Sequence, residues 1–212
     1  MLTKIIKIKG DWQEVVDDCR ATVNKPELGK EPSVVFKRKI LIAEHSPIRD
    51  ISVKWKWEDM KYWVAMHWKT HKWESLVNTQ RNDRQTAYDR DEAPQKAPVN
   101  FKGDANAQHL IDTWRKRLCR QASPETRAYA EDFKAELHNY EPEIADMLVP
   151  NCVYRCGCPE MTEKNPCSAW GDFLAWCQQN DYADPRTMPI GYRYGAYNAY
   201  FNAVRGDKSG KE

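Results

Sequence analysis

The sequence predicts an α+β fold, and three observations support that prediction. Residues 51–57 (ISVKWKW) alternate apolar and polar side chains, as a half-buried strand does. Residues 2–9 (LTKIIKIK) form a β-branched run with strand character. The segments 106–121 and 123–140 carry apolar residues at the three- and four-residue spacing of helices. A chain with both kinds of segment fits an α+β domain.

The first part of the chain is predicted to alternate strands with helices. A second β-branched run, VVFKRKILIA (34–43), is predicted to be a strand. Between the first two runs, DWQEVVDDCRATV (11–23) has helical spacing and begins with an aspartate cap. The strand 51–57 is predicted to bury Ile51, Val53, Trp55 and Trp57. The segment 58–71 is predicted to be a helix with an apolar stripe of Met60, Trp63, Val64 and Trp68.

The second part is predicted to be helical after a long loop. Residues 81–105 are polar, hold two prolines and lack periodicity, which indicates a loop. The helix 106–121 is predicted to bury Leu110, Ile111, Trp114 and Leu118. The helix 123–140 begins with a Ser cap and a Pro at its first position.

The remaining segments are a cysteine-rich stretch, a short helix around 168–179 and an aromatic tail. The tail is predicted to bury Tyr197, Tyr200, Phe201 and Val204 on one helix face. We therefore expect one domain over residues 1–150, with residues 151–212 packed on it as a cysteine-rich loop and a helical tail.

Composition narrows the functional classes. With 41% hydrophobic and 30% charged residues, the chain has a soluble globular profile. Its 33 basic and 31 acidic residues leave a formal charge of +2, so nucleic-acid binding would require a local patch. Neither a secretory signal nor a membrane-spanning run is visible. Seven cysteines, an odd number, favour free thiols and a cytoplasmic location.

Two groups of residues have metal-binding character. His67 and His71 lie four residues apart on a predicted helix, as zinc-binding pairs do, but Trp68 stands where a hydrolytic zinc helix has its glutamate. Four cysteines within sixteen residues would satisfy a tetrahedral zinc ion, although their spacing differs from paired C-x2-C knuckles. The alternative is a cysteine-rich loop packed on aromatic helices. These cysteines are Cys152, Cys156, Cys158 and Cys167.

Nucleic-acid binding is considered because lysines alternate with tryptophans between residues 54 and 72. Stacking and phosphate neutralisation would use both residue types. In a strand, however, the lysines and tryptophans lie on opposite faces, so a solvated lysine face over a buried tryptophan face explains the pattern. These lysines are Lys54, Lys56, Lys61, Lys69 and Lys72.

Phosphate binding is the third hypothesis for this region. After the helix that ends near Lys72, amide, hydroxyl and guanidinium side chains follow in one short segment, as in an anion clamp. A solvated charged loop would explain the arginines but not the uncharged N-T-Q run before them. The clamp residues are Asn78, Thr79, Gln80, Arg81 and Arg84.

The order of these features resembles the flavin-dependent thymidylate synthases. Members of that family carry an H-x-P segment, a strand, a helix that ends in W-x-R-H-R and, further on, S-x-R. Here EHSPIRDISVKWKW (44–57) is followed by AMHWKTHKWESLVNTQR (65–81). EIADMLVP (143–150) is similar to the A-R-x-V-L-P step of the family. The resemblance covers about residues 34–155.

Individual residues of this sequence stand at the positions of the W-x-R-H-R and S-x-R motifs. Trp68 matches the motif tryptophan and His71 matches the central histidine. Thr70 and Lys72 stand at the two arginine positions, and residues 79–81 (TQR) stand for S-x-R.

The resemblance implies an α+β fold with an antiparallel or mixed sheet and packed helices. It also implies reductive methylation of dUMP, or of a related pyrimidine deoxynucleotide. Methylenetetrahydrofolate would be the carbon donor, NADPH the reductant and FAD the hydride carrier. Family members are homotetramers whose sites are shared between subunits.

The resemblance assigns residues to two ligands. The FAD-binding residues it implies are Ser46, Thr70, His71 and Lys72. The nucleotide-binding residues it implies are His67, Asn78, Thr79, Gln80, Arg81 and Arg84. Because the flavin would carry the hydride, no catalytic side chain is implied.

A second hypothesis from a different class stays open. The fold would be retained without flavin as a non-catalytic nucleotide- or nucleic-acid-binding module, and the cysteine loop would hold zinc.

Overall fold

Four strands form an antiparallel sheet in a computed structural model of the chain, which describes residues 2–84, 89–160 and 167–205. The strands are β1 (Thr3–Lys9), β2 (Ser52–Lys61), β3 (Glu74–Val77) and β4 (Pro98–Asn106). Their order is β1-β2-β4-β3, so β2 and β4 form the centre of the sheet. The predicted α+β class is confirmed.

The described part of the chain also contains nine α-helices. They are α1 (Trp12–Ala21), α2 (Val34–Ile42), α3 (Tyr62–Lys69), α4 (Ala107–Arg117), α5 (Pro124–His138), α6 (Pro142–Met147), α7 (Asn151–Arg155), α8 (Ala169–Gln179) and α9 (Ile190–Tyr200). As predicted, Asp11 and Ser123 cap α1 and α5, each accepting a hydrogen bond from a backbone N–H of the first turn. None of these helices is both long and apolar enough to cross a lipid bilayer.

The core is built from aromatic rings on one face of the sheet. The predicted alternation in β2 is confirmed, because all four apolar residues from Ile51 to Trp57 are at most 1% exposed. Trp55 contacts the rings of Trp114 and Phe133 from α4 and α5, with centroids 6.2 and 5.0 Å away. These contacts fix α4 and α5 against the sheet.

A glycine in β4 makes room for this aromatic cluster. Gly103 pairs with Trp55 across the sheet, and a Cβ at Gly103 would overlap the Trp55 ring. We expect Gly103→Ala to lower the free energy of unfolding by about 1–3 kcal/mol, since the buried ring has no space to withdraw. Urea denaturation followed by circular dichroism measures this change.

Gly171 is the matched control for Gly103. It lies in α8, and no atom would lie within 4 Å of an added Cβ. Gly171→Ala should therefore raise stability by about 0.4–1 kcal/mol. Equal effects of the two substitutions would contradict the steric argument.

Three predicted elements are wrong in type or extent. Residues 34–43 form helix α2 rather than a strand, because Ser33 caps the first turn and the buried residues follow a helical spacing. Residues 58–61 continue strand β2, so α3 begins only at Tyr62. Residues 98–105 are not loop but most of β4, which is paired on both sides.

The helices after residue 106 agree more closely with prediction. The predicted apolar residues of α4 are at most 1% exposed. In the tail, Tyr197, Tyr200 and Phe201 are buried, whereas Val204 is 56% exposed in the wider turn that follows α9. The charged stretch 206–212 lies outside the described residues. The expected division at residue 150 stays a prediction.

Candidate functional site

Three elements meet around an open cavity of about 420 Å³. The turn after α3, one face of α4 and helix α7 supply its walls. The lining residues are Thr70, His71, Lys72, His109, Asp112, Thr113, Arg115, Lys116, Asn151 and Arg155. The volume lies within the range of small-molecule sites.

The charged side chains in the walls of this cavity are mostly cations. Helical spacing places His109, Asp112 and Lys116 on one side of α4, since they lie three and seven residues apart. The cations are Lys72, Arg115, Lys116 and Arg155, against Asp112 as the carboxylate of the lining. This excess of positive charge favours an anionic ligand such as a phosphate.

Arg115 is held in place by a buried network. Its guanidinium pairs with Glu44 and lies 3.9 Å from the centre of the Tyr154 ring. Burial by itself would raise the pKa of Glu44, but hydrogen bonds from Arg115, Gln108 and Tyr154 outweigh it and lower that pKa. Glu44 therefore stays ionised and keeps Arg115 at the cavity wall.

One donor of Arg115 has no acceptor. The residue is 7% exposed, and within the described ranges its buried Nε–H lacks a hydrogen-bond partner. A buried donor without a partner costs about 1–3 kcal/mol.

His71 lines this cavity with a neutral imidazole ring. Burial, together with the positive charges of the neighbouring Arg117 and Lys116, lowers its pKa to about 4. Its Nε2 accepts a hydrogen bond of 2.8 Å from Nε of Arg117. The proton of the neutral ring therefore lies on Nδ1, which is able to donate to a ligand.

The lowered pKa of His71 makes stability depend on pH. Because the unfolded chain binds a proton near pH 6.5 and the folded chain only near pH 4, the unfolding free energy should fall as pH drops through that window. Above pH 6.5 this contribution is fully present. Urea denaturation at several pH values measures the slope.

His71→Gln is the control for this prediction, because an amide oxygen accepts from Arg117 but does not titrate. The variant should lose less stability than the wild type between pH 6.5 and pH 4. Parallel pH profiles for the two proteins would rule out His71 as the titrating group.

The structure brings three of the four predicted FAD-binding residues together. Thr70, His71 and Lys72 line the cationic cavity. Ser46 instead lies at the start of a 3₁₀ turn, exposed and outside the cavity lining.

The predicted nucleotide-binding residues lie apart from this cavity. Those after β3 lie on an exposed or half-buried segment, where Asn78 hydrogen-bonds Asn100 and Thr79 accepts from the backbone N–H of Arg81. Arg81 makes two hydrogen bonds to Asp83, of 2.9 and 2.6 Å. The others in this set are His67, Gln80 and Arg84.

The two predicted metal sites are not assembled. His67 hydrogen-bonds Thr126 whereas His71 bonds Arg117, so the pair has separate partners. In the described ranges, no three His, Cys, Asp or Glu side chains are arranged to hold a metal ion. Of the predicted zinc set, Cys152, Cys158 and Cys167 line one cavity and Cys156 does not, and zinc binding stays a prediction.

Sequence reasoning missed the α4 and α7 walls of the cavity. The signal available was the R-K-R run of residues 115–117, three consecutive cations near the end of α4. A larger cavity of about 620 Å³ borders α9, but its arginine, Arg38, is paired with Asp146. The smaller cavity is the better candidate for an anionic ligand.

Comparison with known proteins gives a fold relationship. No family model matches the sequence, and no curated protein matches it. Among solved structures, the chain is similar to a UMP/dUMP methylase, PolB, from Streptomyces cacaoi, crystallised with 5-Br dUMP. The TM-score is 0.58 at 11% identity, covering 68% of this chain and 93% of the other. The similarity shows a shared fold.

Proposed function

We propose that this chain binds FAD in the cationic cavity and reductively methylates dUMP or a related pyrimidine deoxynucleotide. Methylenetetrahydrofolate and NADPH would be the co-substrates, and subunits would share sites in a homotetramer. The observation that carries the proposal is the cavity itself, in which Thr70, His71 and Lys72 meet Arg115 and Arg155. The sequence motif and the fold similarity to a UMP/dUMP methylase support the same chemistry.

The residues present fit FAD in charge and hydrogen bonding. Its diphosphate would accept from Lys72 and Arg155 at the rim. The cavity of about 420 Å³ is open, as a site completed by a second subunit would be. When bound, the flavin would supply the hydride chemistry that the reaction requires.

The chain itself contributes binding and charge. The Arg115–Glu44 pair fixes one cation before the ligand arrives, which reduces the entropy cost of binding. His71 stays neutral near pH 7 because of its lowered pKa, so it offers a hydrogen bond from Nδ1 without adding a further charge.

The proposal is tested by the absorbance spectrum of the purified protein and by turnover. Flavin absorbance, or FAD uptake in titration, is expected together with formation of methylated nucleotide from dUMP, methylenetetrahydrofolate and NADPH. A colourless protein that binds nucleotide but not FAD would favour the binding-module alternative. Binding of neither ligand would overturn the proposal.

Arg81 is proposed to hold the phosphate of the nucleotide. Arg81→Ala should weaken dUMP binding by about 1–3 kcal/mol, the range for a charge-assisted contact. Asp83 pairs with Arg81 and competes with a phosphate, so Asp83→Asn should tighten dUMP binding. Calorimetry measures both affinities, and unchanged values in both variants would exclude this assignment.

A further inference from the structure

A second cavity, of about 240 Å³, gathers four cysteines from separate segments of the chain. Cys119 follows α4, Cys152 lies in α7, Cys158 follows α7 and Cys167 precedes α8. All four line the same cavity, and all are free thiols. The sequence alone suggested Cys156 in place of Cys119.

None of the four thiols is exposed, since Cys152 is buried and Cys119, Cys158 and Cys167 are partly buried. Cys156 is excluded from this group, since it does not line the cavity.

The cavity surroundings suit a negatively charged thiolate centre. Arg115, Lys116, Arg117 and Arg120 line the same cavity, against Glu160 as the carboxylate among its lining residues. Cations and hydrogen-bond donors around a thiolate-bound centre offset its negative charge.

Four thiolates are able to ligate either a single zinc ion or an iron–sulfur cluster. A single zinc ion requires its sulfurs about 2.3 Å from one point, and within the described ranges no three potential ligands are arranged to hold one ion. A single ion would also fill little of a 240 Å³ cavity, since even a water molecule takes only about 30 Å³. An iron–sulfur cluster needs wider spacing, because each thiolate binds a different iron.

We propose that Cys119, Cys152, Cys158 and Cys167 ligate a four-iron, four-sulfide cluster in this cavity. Two ferrous ions, two ferric ions and four sulfides make up the cluster, and each thiol releases its proton as its sulfur bonds one iron. With iron supplied in these two states, assembly needs no further oxidant or reductant. The inference does not depend on the proposed nucleotide chemistry, although Arg115, Lys116 and Asn151 line both cavities.

The test is elemental analysis of the full chain, purified without oxygen and reconstituted with equal amounts of ferrous and ferric iron and with sulfide. We expect about four iron and four acid-labile sulfide per chain. Cys119→Ser should lose the cluster, shown by a severalfold fall in bound iron and sulfide. Cys156→Ser should match the wild type, because Cys156 does not line the cavity.

Several outcomes would overturn the proposal: wild-type protein without iron and sulfide, one zinc per chain without sulfide, or equal losses in Cys119→Ser and Cys156→Ser. If Cys119→Ser fails to fold by circular dichroism, Cys167→Ser takes its place. The iron and sulfide content of the wild-type protein tests the cluster proposal without reference to any variant. FAD and dUMP binding, measured on the same samples, separate failure of this proposal from failure of the nucleotide proposal.

Discussion

Removing two rim cations should weaken FAD binding by roughly a hundredfold. Lys72 and Arg155 line the cationic cavity from different elements, and both are exposed. Exposed contacts contribute at the lower end for charge-assisted hydrogen bonds, about 1.5 kcal/mol each, so Lys72→Met with Arg155→Met should cost about 3 kcal/mol. Calorimetry of the double variant with FAD measures the loss.

Two controls make this result specific to phosphate. Riboflavin has no phosphate, so its affinity should change little in the double variant. Lys69→Met removes an exposed charge from the end of α3 that does not line the cavity, and it should leave FAD affinity within about twofold of the wild type. If riboflavin and FAD weaken equally, the two cations do not bind the diphosphate.

Trp114→Ala should lower the free energy of unfolding by about 3–5 kcal/mol, the range for truncating a buried large aromatic residue. The side chain is 0% exposed, its ring centroid lies 4.4 Å from that of Phe133, and its Nε1–H donates to the Ala130 carbonyl. The truncation leaves both a cavity and an unpaired carbonyl. Urea denaturation followed by circular dichroism measures the change.

Two further variants set limits on the stability loss expected for Trp114→Ala. Trp114→Phe keeps an aromatic ring but loses the N–H, so its cost should be smaller than that of Trp114→Ala. Tyr192 is 73% exposed, and Tyr192→Ala should change stability by no more than about 0.5 kcal/mol. A Trp114→Ala protein as stable as Tyr192→Ala would show that the aromatic cluster does not stabilise the fold.

Local sequence determined those elements whose periodicity and end signals agree. The alternation of 51–57 matches a strand buried on one face, and helices α1, α4 and α5 follow their apolar stripes and caps. The order of residues around His71 also pointed to the turn that lines the cationic cavity. Such signals act between near neighbours, so they can be read without knowing the fold.

Tertiary structure decided the elements whose local preference was weak or misleading. The segment 98–106 holds Pro, Gly, Asp and Asn, which are poor strand formers, yet pairing with β2 and β3 satisfies its backbone. The β-branched start of 34–43 favoured a strand, but a Ser33 cap and burial at Lys37, Ile40 and Leu41 make it helix α2.

The candidate sites depended still more on tertiary structure. Arg115 and Arg155 reach the turn at His71 only because the aromatic core fixes α4 and because α7 lies beside it. Cys119 joins three later cysteines for the same reason, while Cys156, close to two of them in sequence, does not line their cavity. Local sequence set which side chains each helix presents; burial of the aromatic core brought the helices together and so chose which side chains meet.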